Sequence, residues 1–372
     1  MSKIKRNGTK PQVLSAREAV EYIADQDTVA VSGAGGGIVD PYALINALHE
    51  RYVETGCPKN LTLWHSTGLG DRNDRGMSPL ALEGLVKRVI GGHWGQSPRL
   101  AEMASENKIE AYNFPQGIMA QLARTAAAGQ PGILSHVGLG TFIDPRVSGG
   151  KLNEVTKEDL IKVMNVDGKE WLYYPVVPLD VCLIRATTAD TEGYASMEEE
   201  ITYIDVLQLA QAVHNNGGTI ILQVKRLVKG GTLHPKSVKI PGFLVDAIVV
   251  EEKQEQLYNG SDRFFSGDYI ADDSAVTMLP LDQRKVVARR ALMEVRPGYV
   301  GNVGVGIADG IGNVAREEGV QDAFTLTVET GPVGGATAQG IFFGATVNAR
   351  AVMDMPAQFD FYDGGGLDVA FL

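Results

Sequence analysis

The stretch that decides the fold is SAREAVEYIADQDTVAVSGAGGGIVDPYALINALHERY, residues 15–52. Its pattern predicts a helix, a strand, a glycine turn and a second helix. Ser15 followed by Glu18 has capping-box spacing, so the first helix is expected to begin directly after Ser15. A glycine turn between a strand and a helix presents free backbone amides at the carboxyl end of the strand, where open α/β sheets bind their ligands.

The same order returns near the end of the chain. LDQRKVVARRALMEV (281–295) predicts a helix, YVGNVGVGIADG (299–310) a strand with a glycine turn, and IGNVAREEG (311–319) a second helix. In both copies roughly twenty residues separate the start of the leading helix from the glycine cluster. The repeat predicts an α/β protein with two related open domains, residues 1–280 and 281–372, whose mainly parallel sheets face an active-site cleft between them.

Between the copies lie three apolar runs, VCLIRA (181–186), TIILQV (219–224) and FLVDAIVV (243–250). Uninterrupted apolar runs indicate strands buried on both faces, which is typical of parallel sheets. The final segments are the turn-rich FDFYDGGGLD (359–368) and the strand-like VAFL (369–372). A sheet edge without a closing helix is left uncovered, so the second domain is expected to be truncated.

Composition excludes several classes of function. The 372 residues carry a formal net charge of -11, which disfavours binding to nucleic acid or to anionic membranes. Two distant cysteines and six histidines without ligand spacing predict neither a disulfide framework nor a metal site. No run approaches the ~20 apolar residues of a membrane span. Residues 1–12 lack the apolar core of a signal peptide and are expected to form a short frayed arm, so a cytoplasmic location is predicted.

One carboxylate stands out in FTLTVETGPVGG (324–335), where Glu329 ends a predicted strand and is followed by a glycine turn. A glutamate in this position is often a solvated loop residue, and that interpretation stays open. A carboxylate with an ordinary pKa is ionised at neutral pH, so it can attack a carbonyl carbon without a neighbouring base. Burial would raise its pKa unless backbone donors offset the desolvation.

The glycine clusters also suggest a dinucleotide fingerprint. GAGGGI (33–38) lacks the GxGxxG spacing, and GVGIADG (304–310) misses the third glycine by one position. A nicotinamide-dependent dehydrogenase is therefore the weaker alternative. The simpler alternative is that the glycines only permit tight turns.

An ordered set of motifs covers the chain from about Val13 to Leu372 and resembles the class I coenzyme A (CoA) transferases. Specifically, it is similar to the fused, single-chain short-chain acyl-CoA:acetate (propionate) type. The motifs are VSGAGGGI, TGLGDR, GGHWGQSP, YNFPQG, GLGTFIDPR, LHPKSV, NVGVGIADGI, VETGPVGG and QFDFY with GGGLDV.

The resemblance implies that Glu329 is the nucleophile. It also implies that Gln116 and the GxGG turn from Gly33 to Gly36, in particular Gly35 and Gly36, line the acyl pocket. It further implies that the segment Gly304, Val305, Gly306, Ile307 and Ala308 binds CoA through backbone amides. Thr67 is expected to contribute polar contacts, at a place where related two-subunit transferases carry an asparagine pair.

The implied activity is transfer of CoA between a short-chain acyl-CoA and a free carboxylate such as acetate, by a ping-pong route through a glutamyl-CoA thioester. Acyl-CoA and carboxylate would be the small-molecule partners. No tightly bound cofactor is expected, and enzymes of this size and class often form homo-oligomers. Two alternatives remain: an acyl-CoA thioester hydrolase on the same scaffold, and a non-catalytic CoA-binding fragment.

Overall fold

The protein is described by a computed structural model over residues 10–272 and 278–372. The predicted amino-terminal arm lies largely outside these residues. Within them the helices are α1 (Ala16–Val20), α2 (Tyr42–Thr55), α3 (Pro98–Ser105), α4 (Gln116–Ala127), α5 (Val206–Asn215), α6 (Gln283–Leu292), α7 (Ile311–Glu317) and α8 (Met355–Asp363).

The strands follow in chain order. They are β1 (Gln12–Val13), β2 (Thr28–Val31), β3 (Leu61–His65), β4 (Val86–Gly91), β5 (Glu110–Asn113), β6 (Gly132–Ser135), β7 (Lys162–Val166), β8 (Lys169–Pro175), β9 (Val181–Asp190), β10 (Ala195–Ser196), β11 (Thr219–Val228), β12 (Val238–Ile240), β13 (Ala247–Val250), β14 (Val300–Val303), β15 (Thr325–Thr327), β16 (Pro332–Val333), β17 (Ala336–Thr337), β18 (Thr346–Val347), β19 (Ala351–Val352) and β20 (Val369–Phe371).

A large sheet dominates the first part of the chain. Its main path is β1-β13-β11-β9-β2-β3-β4-β5, and every pair along this path is parallel. All ten residues of β9 are buried. The expectation of strands buried on both faces is therefore confirmed for VCLIRA.

The two faces of this sheet enter separate apolar cores. Leu183 and Leu63 belong to a core that also contains residues of α1, α2 and α3. Cys182 and Ile184 belong to the opposite core, which also contains residues of α4 and α5. Helices thus cover both faces, and the carboxyl ends of β2, β3, β4 and β5 lie at one edge of the sheet.

A five-stranded sheet, β19-β16-β15-β14-β20, occupies the last part of the chain. β14 runs parallel to both β15 and β20, while β16 is antiparallel to its neighbours. The mixed α/β fold with a mainly parallel sheet is confirmed. The division of the chain at residue 280 stays a prediction.

The repeated order of elements is present in both halves. The capping box at Ser15 forms as predicted, with the Ser15 and Glu18 side chains each bonding the other residue's backbone amide. Asp282 caps α6 by accepting from the Lys285 amide. Both leading helices are followed by a strand, a glycine turn and a second helix.

Two expectations were wrong. The run FLVDAIVV forms a strand only at Ala247–Val250, because Gly242–Leu244 is a 3-10 helix. The segment FDFYD, predicted to be turn-rich, belongs to α8, whose amino end is capped by Asp354. Helix α8 packs on α4 of the large sheet's helical layer, where Arg124 and Gln121 bond the Asp360 carboxylate. Packing against α4 compensates for the weak helical signal of the segment.

No helix among the described residues is both long and apolar enough to cross a membrane. The same residues contain no grouping of three or more histidine, cysteine, aspartate or glutamate side chains arranged to hold a metal ion.

The contact of α4 with α8 predicts the effect of a glycine substitution. A Cβ atom on Gly117 would lie 2.3 Å from Phe359 Cδ1, so Gly117→Ala must displace a packed ring. We expect a loss of roughly 1–3 kcal/mol, seen as a lower Tm in thermal unfolding. Gly312→Ala on α7 is the matched control, because its Cβ meets nothing nearer than 3.5 Å and should raise or preserve the Tm. Equal changes in the two variants would contradict this packing.

Candidate active site

Glu329 lies two residues beyond β15, at the carboxyl end of a parallel strand pair. The next residue, Thr330, is fixed on two sides: its hydroxyl donates to Gly344 O at 2.8 Å, and its carbonyl accepts from Thr202 Oγ1 at 2.5 Å. Gly331 has a φ of 129°, and a Cβ there would lie 2.2 Å from Met353 O. The turn after Glu329 therefore requires glycine, and it holds the carboxylate in a defined place.

The Glu329 side chain is partly buried, and densely packed protein surrounds it. Desolvation raises its pKa to about 7, and its own backbone amide and the Asn302 side chain oppose this rise. No charged side chain of the described residues contributes to the shift. The backbone donor is the amide of Glu329 itself and not one of the glycine turn, and it does not cancel the desolvation, so Glu329 is partly protonated at neutral pH.

The glycine turn after β2 contacts residues 341–344, and this segment in turn contacts Thr330, the residue after Glu329. A Cβ on Gly35 would lie 2.6 Å from Phe343 O, and a Cβ on Gly36 would lie 2.7 Å from Ile341 O. Gly344, at the end of the same segment, lies against Ile38 and Thr330. Residues 341–344 therefore join the first glycine turn to the residue that follows Glu329.

Thr67 belongs to this assembly. Its side chain is buried, and its hydroxyl donates to Gly33 O. The Gly35 amide donates to Gly68 O at 2.8 Å. The turns after β2 and β3 are thus bonded to each other, which places Thr67 beside Gly35 and Gly36.

Asp205 anchors the same two turns from below. Its carboxylate is fully buried and accepts from Ser32 Oγ at 3.0 Å and from Ser66 Oγ at 2.5 Å. Burial raises its pKa to about 6, while the two serine bonds oppose the rise. Each serine directly precedes a predicted pocket residue, Gly33 or Thr67.

Gln116 is the first residue of α4 and is half-buried. Its Nε2 lies 3.6 Å from Met355 Sδ of α8, and its Cα lies close to Gly92, which also contacts the Ser66 carbonyl. Gln116 therefore sits between the strand ends of the large sheet and the beginning of α8.

The segment Gly304–Ala308 follows β14, the strand beside β15. Asp309 and Arg284 shape it: the Gly306 amide donates to Asp309 Oδ2 at 3.4 Å, and Arg284 donates to Gly306 O at 2.7 Å. Val305 and Ile307 direct exposed side chains to the surface. This segment and Glu329 leave the same sheet edge from neighbouring strands.

Sequence reasoning missed three residues at this site: Asn302, Asp205 and Tyr362. Asn302 interrupts the apolar run VGNV of β14, and an amide at an inward strand position was the available signal. Asp205 gave no local signal, because its serine partners are far away in sequence. Tyr362 was overlooked because its segment was interpreted as a turn.

Comparison with known proteins decides the family. Residues 13–251 match the family model described as coenzyme A transferase. The chain is 63% identical over 368 residues to the acetate CoA-transferase YdiF of Escherichia coli (strain K12), covering 98% of this chain and 69% of that protein. The chain belongs to the coenzyme A transferase family.

Two further relatives agree with this assignment. The caffeate CoA-transferase of Acetobacterium woodii is 41% identical over 364 residues, which is 96% of this chain and 69% of that protein. The crystal structure of the E. coli O157:H7 acyl-CoA transferase YdiF, in a thioester complex with CoA, matches with a TM-score of 0.94 and 59% identity. The match covers 99% of this chain and 70% of that one.

The hydrogen bonds of Asp205 predict that it stabilises the turns at the carboxyl ends of β2 and β3. Asp205→Ala leaves the Ser32 and Ser66 hydroxyls without an acceptor, so hydrogen–deuterium exchange should speed up at residues 33–38 and 66–70, by an amount equivalent to about 1–3 kcal/mol. Asp180→Ala is the matched control, because Asp180 accepts from the Thr28 amide at the opposite end of β2. Unchanged exchange of residues 33–38 in Asp205→Ala would contradict the anchoring role.

Proposed function

We propose that the protein transfers CoA between a short-chain acyl-CoA and a free short-chain carboxylate such as acetate, with Glu329 as the nucleophile. The observation that carries this proposal is a poorly solvated carboxyl group at the end of β15, with no charged side chain lowering its pKa. The high identity to a protein named acetate CoA-transferase supports the choice of substrates.

In the first half-reaction, a Glu329 carboxylate oxygen attacks the thioester carbonyl carbon. The carbon–sulfur bond breaks, CoA leaves as the thiolate, and a mixed acyl-glutamyl anhydride forms. The thiolate then attacks the Glu329 carbonyl carbon, which releases the acyl group as a free carboxylate and leaves a glutamyl-CoA thioester.

The second half-reaction reverses these steps with a new acid. The incoming carboxylate attacks the glutamyl thioester, CoA thiolate leaves again, and a second anhydride forms. Attack of the thiolate on the new acyl carbon gives the product acyl-CoA and regenerates the Glu329 carboxylate. No net proton is gained or lost, so a neighbouring general base is unnecessary.

Each attack places negative charge on a former carbonyl oxygen, and oriented donors stabilise that charge. We assign this role and the acyl pocket to Gln116, Thr67 and the amides of Gly35 and Gly36. The assignment is supported by the position of these residues, which all follow the carboxyl ends of strands in the large sheet. The backbone of Gly304–Ala308 is proposed to hold CoA, because it leaves the neighbouring sheet edge beside Glu329.

Exclusion of water separates transfer from hydrolysis, since water that reaches the anhydride or thioester would release free acid. The close packing of residues 341–344 on Gly35 and Gly36 supports transfer over hydrolysis. The division into domains 1–280 and 281–372, a homo-oligomeric state and a cytoplasmic location are part of the same proposal and stay predictions.

Steady-state kinetics test the proposal with propionyl-CoA and isotope-labelled acetate. We expect label in acetyl-CoA, parallel double-reciprocal plots, and a loss of at least about 10³-fold in kcat for Glu329→Gln. Glu317→Gln is the control, because Glu317 lies on α7 and pairs with Lys285 of α6. Transfer that survives Glu329→Gln would contradict the proposal, and release of propionate without labelled acetyl-CoA would favour the hydrolase.

A further inference from the structure

A chain of hydrogen bonds runs beneath Glu329. Asn302 Nδ2 donates to the Tyr362 hydroxyl at 3.2 Å, and the Tyr362 hydroxyl donates to Thr327 Oγ1 at 2.7 Å. The Thr327 hydroxyl in turn donates to Gly301 O at 2.9 Å. Each hydroxyl that donates onward becomes a better acceptor, so the chain favours one orientation of the Asn302 amide.

The chain is built from three separate elements. Asn302 comes from β14, Thr327 from the paired position on β15, and Tyr362 from the last turn of α8. Asn302 and Thr327 are buried. Burial raises the pKa of Tyr362 further above its usual range, so its hydroxyl keeps its proton at neutral pH.

Gln358 extends this polar layer. It lies one helical turn before Tyr362 on α8 and is fully buried, and neither its Oε1 nor its Nε2 forms a hydrogen bond among the described residues. Its amide is still close enough to the Tyr362 hydroxyl to oppose the rise in the pKa of that tyrosine. A buried amide without hydrogen-bond partners lowers the stability of the fold. The presence of Gln358 in this polar layer therefore points to a role other than stability.

We propose that Tyr362 and Thr327 are positioning residues for Glu329. The Asn302 amide nitrogen donates to the Tyr362 hydroxyl at 3.2 Å, with the Thr327 carbonyl oxygen at 3.4 Å beside it. These contacts hold the amide where it also donates to the Glu329 carboxylate. Thr327 fixes the direction of the Tyr362 hydroxyl. This inference rests on the proposed role of Glu329 as the nucleophile, and it adds residues that do not themselves touch the reacting atoms.

Among the described residues, the side chain that donates a hydrogen bond to Glu329 is the amide of Asn302. Tyr362 from α8 is the titratable group that faces it, and charge on Glu329 raises the pKa of that tyrosine. The acidic residues of α8 point elsewhere: Asp360 and Asp363 bond Gln121 of α4. Asp354, which caps α8, accepts from Gln208 of α5.

The test measures the ionisation of Glu329 directly. Infrared difference titration identifies its protonated carboxyl band as the band that is missing in Glu329→Gln. In Tyr362→Phe, Asn302 keeps only the more distant Thr327 carbonyl oxygen as an acceptor, so its amide is held less firmly and the carboxylate loses an oriented donor. The band should therefore persist to higher pH, by roughly half a unit to one unit.

The same shift is expected in Thr327→Val, and Thr327→Ser should restore the original titration because it retains the hydroxyl. Tyr174→Phe is the matched control, since Tyr174 is a buried tyrosine whose hydroxyl bonds Val137 O at 2.7 Å in another part of the fold. It should lose stability without moving the Glu329 band. An unmoved band in both Tyr362→Phe and Thr327→Val would overturn the inference.

A second readout separates this inference from the proposed function. The rate of CoA adduct formation with acetyl-CoA should fall roughly tenfold in Tyr362→Phe, the rate effect of about 1.4 kcal/mol from one weakened hydrogen bond to the carboxylate. A shifted band in a protein that never forms an adduct would support the positioning role and refute the nucleophile. Normal adduct formation together with an unmoved band would support Glu329 as the nucleophile and refute the positioning role of Tyr362.

Discussion

The site depends on a close contact between backbone and backbone. The turn at Gly35 and Gly36 approaches the carbonyl oxygens of Phe343 and Ile341 so closely that no side chain fits between them. Gly344 follows these residues, and its carbonyl oxygen accepts a hydrogen bond from the Thr330 hydroxyl. The contact therefore also fixes the residue that follows Glu329. The large parallel sheet and the mixed five-stranded sheet, from distant parts of the sequence, are thus packed together through the turns that follow β2 and β15.

This packing has an electrostatic consequence. Protein replaces water around Glu329, and its pKa rises to about 7 because its own amide and Asn302 compensate only in part. A neighbouring cation would stabilise the carboxylate, but it would also reduce its tendency to attack a carbonyl carbon. A poorly solvated carboxylate is more reactive towards a carbonyl carbon once it is ionised, and perturbed pKa values cluster at functional sites.

Much of the fold could be predicted from the sequence, because its signals are local. The apolar run of β9 and the capping box at Ser15 specify their own structures. Glu329 was recognisable because a strand pattern ends directly before a glycine turn. Helix α8 was not, because FDFYD followed by three glycines has little helical preference and its structure comes from packing on α4.

The supporting residues of the site were equally hidden. Asp205 bonds Ser32 and Ser66, which lie 173 and 139 positions away in the chain. Tyr362 meets Asn302 across 60 positions. Periodicity and spacing report only on neighbours in sequence, so partners at such separations become visible only when the tertiary structure is known.

The most direct measurement of the central claim is peptide mapping after incubation with acetyl-CoA. We expect a mass increase of one CoA less one water, located on the tryptic peptide between Arg316 and Arg350, which contains Glu329. The adduct should be absent from Glu329→Gln. A CoA adduct on any other peptide, or a folded protein that forms none, would show that Glu329 is not the nucleophile.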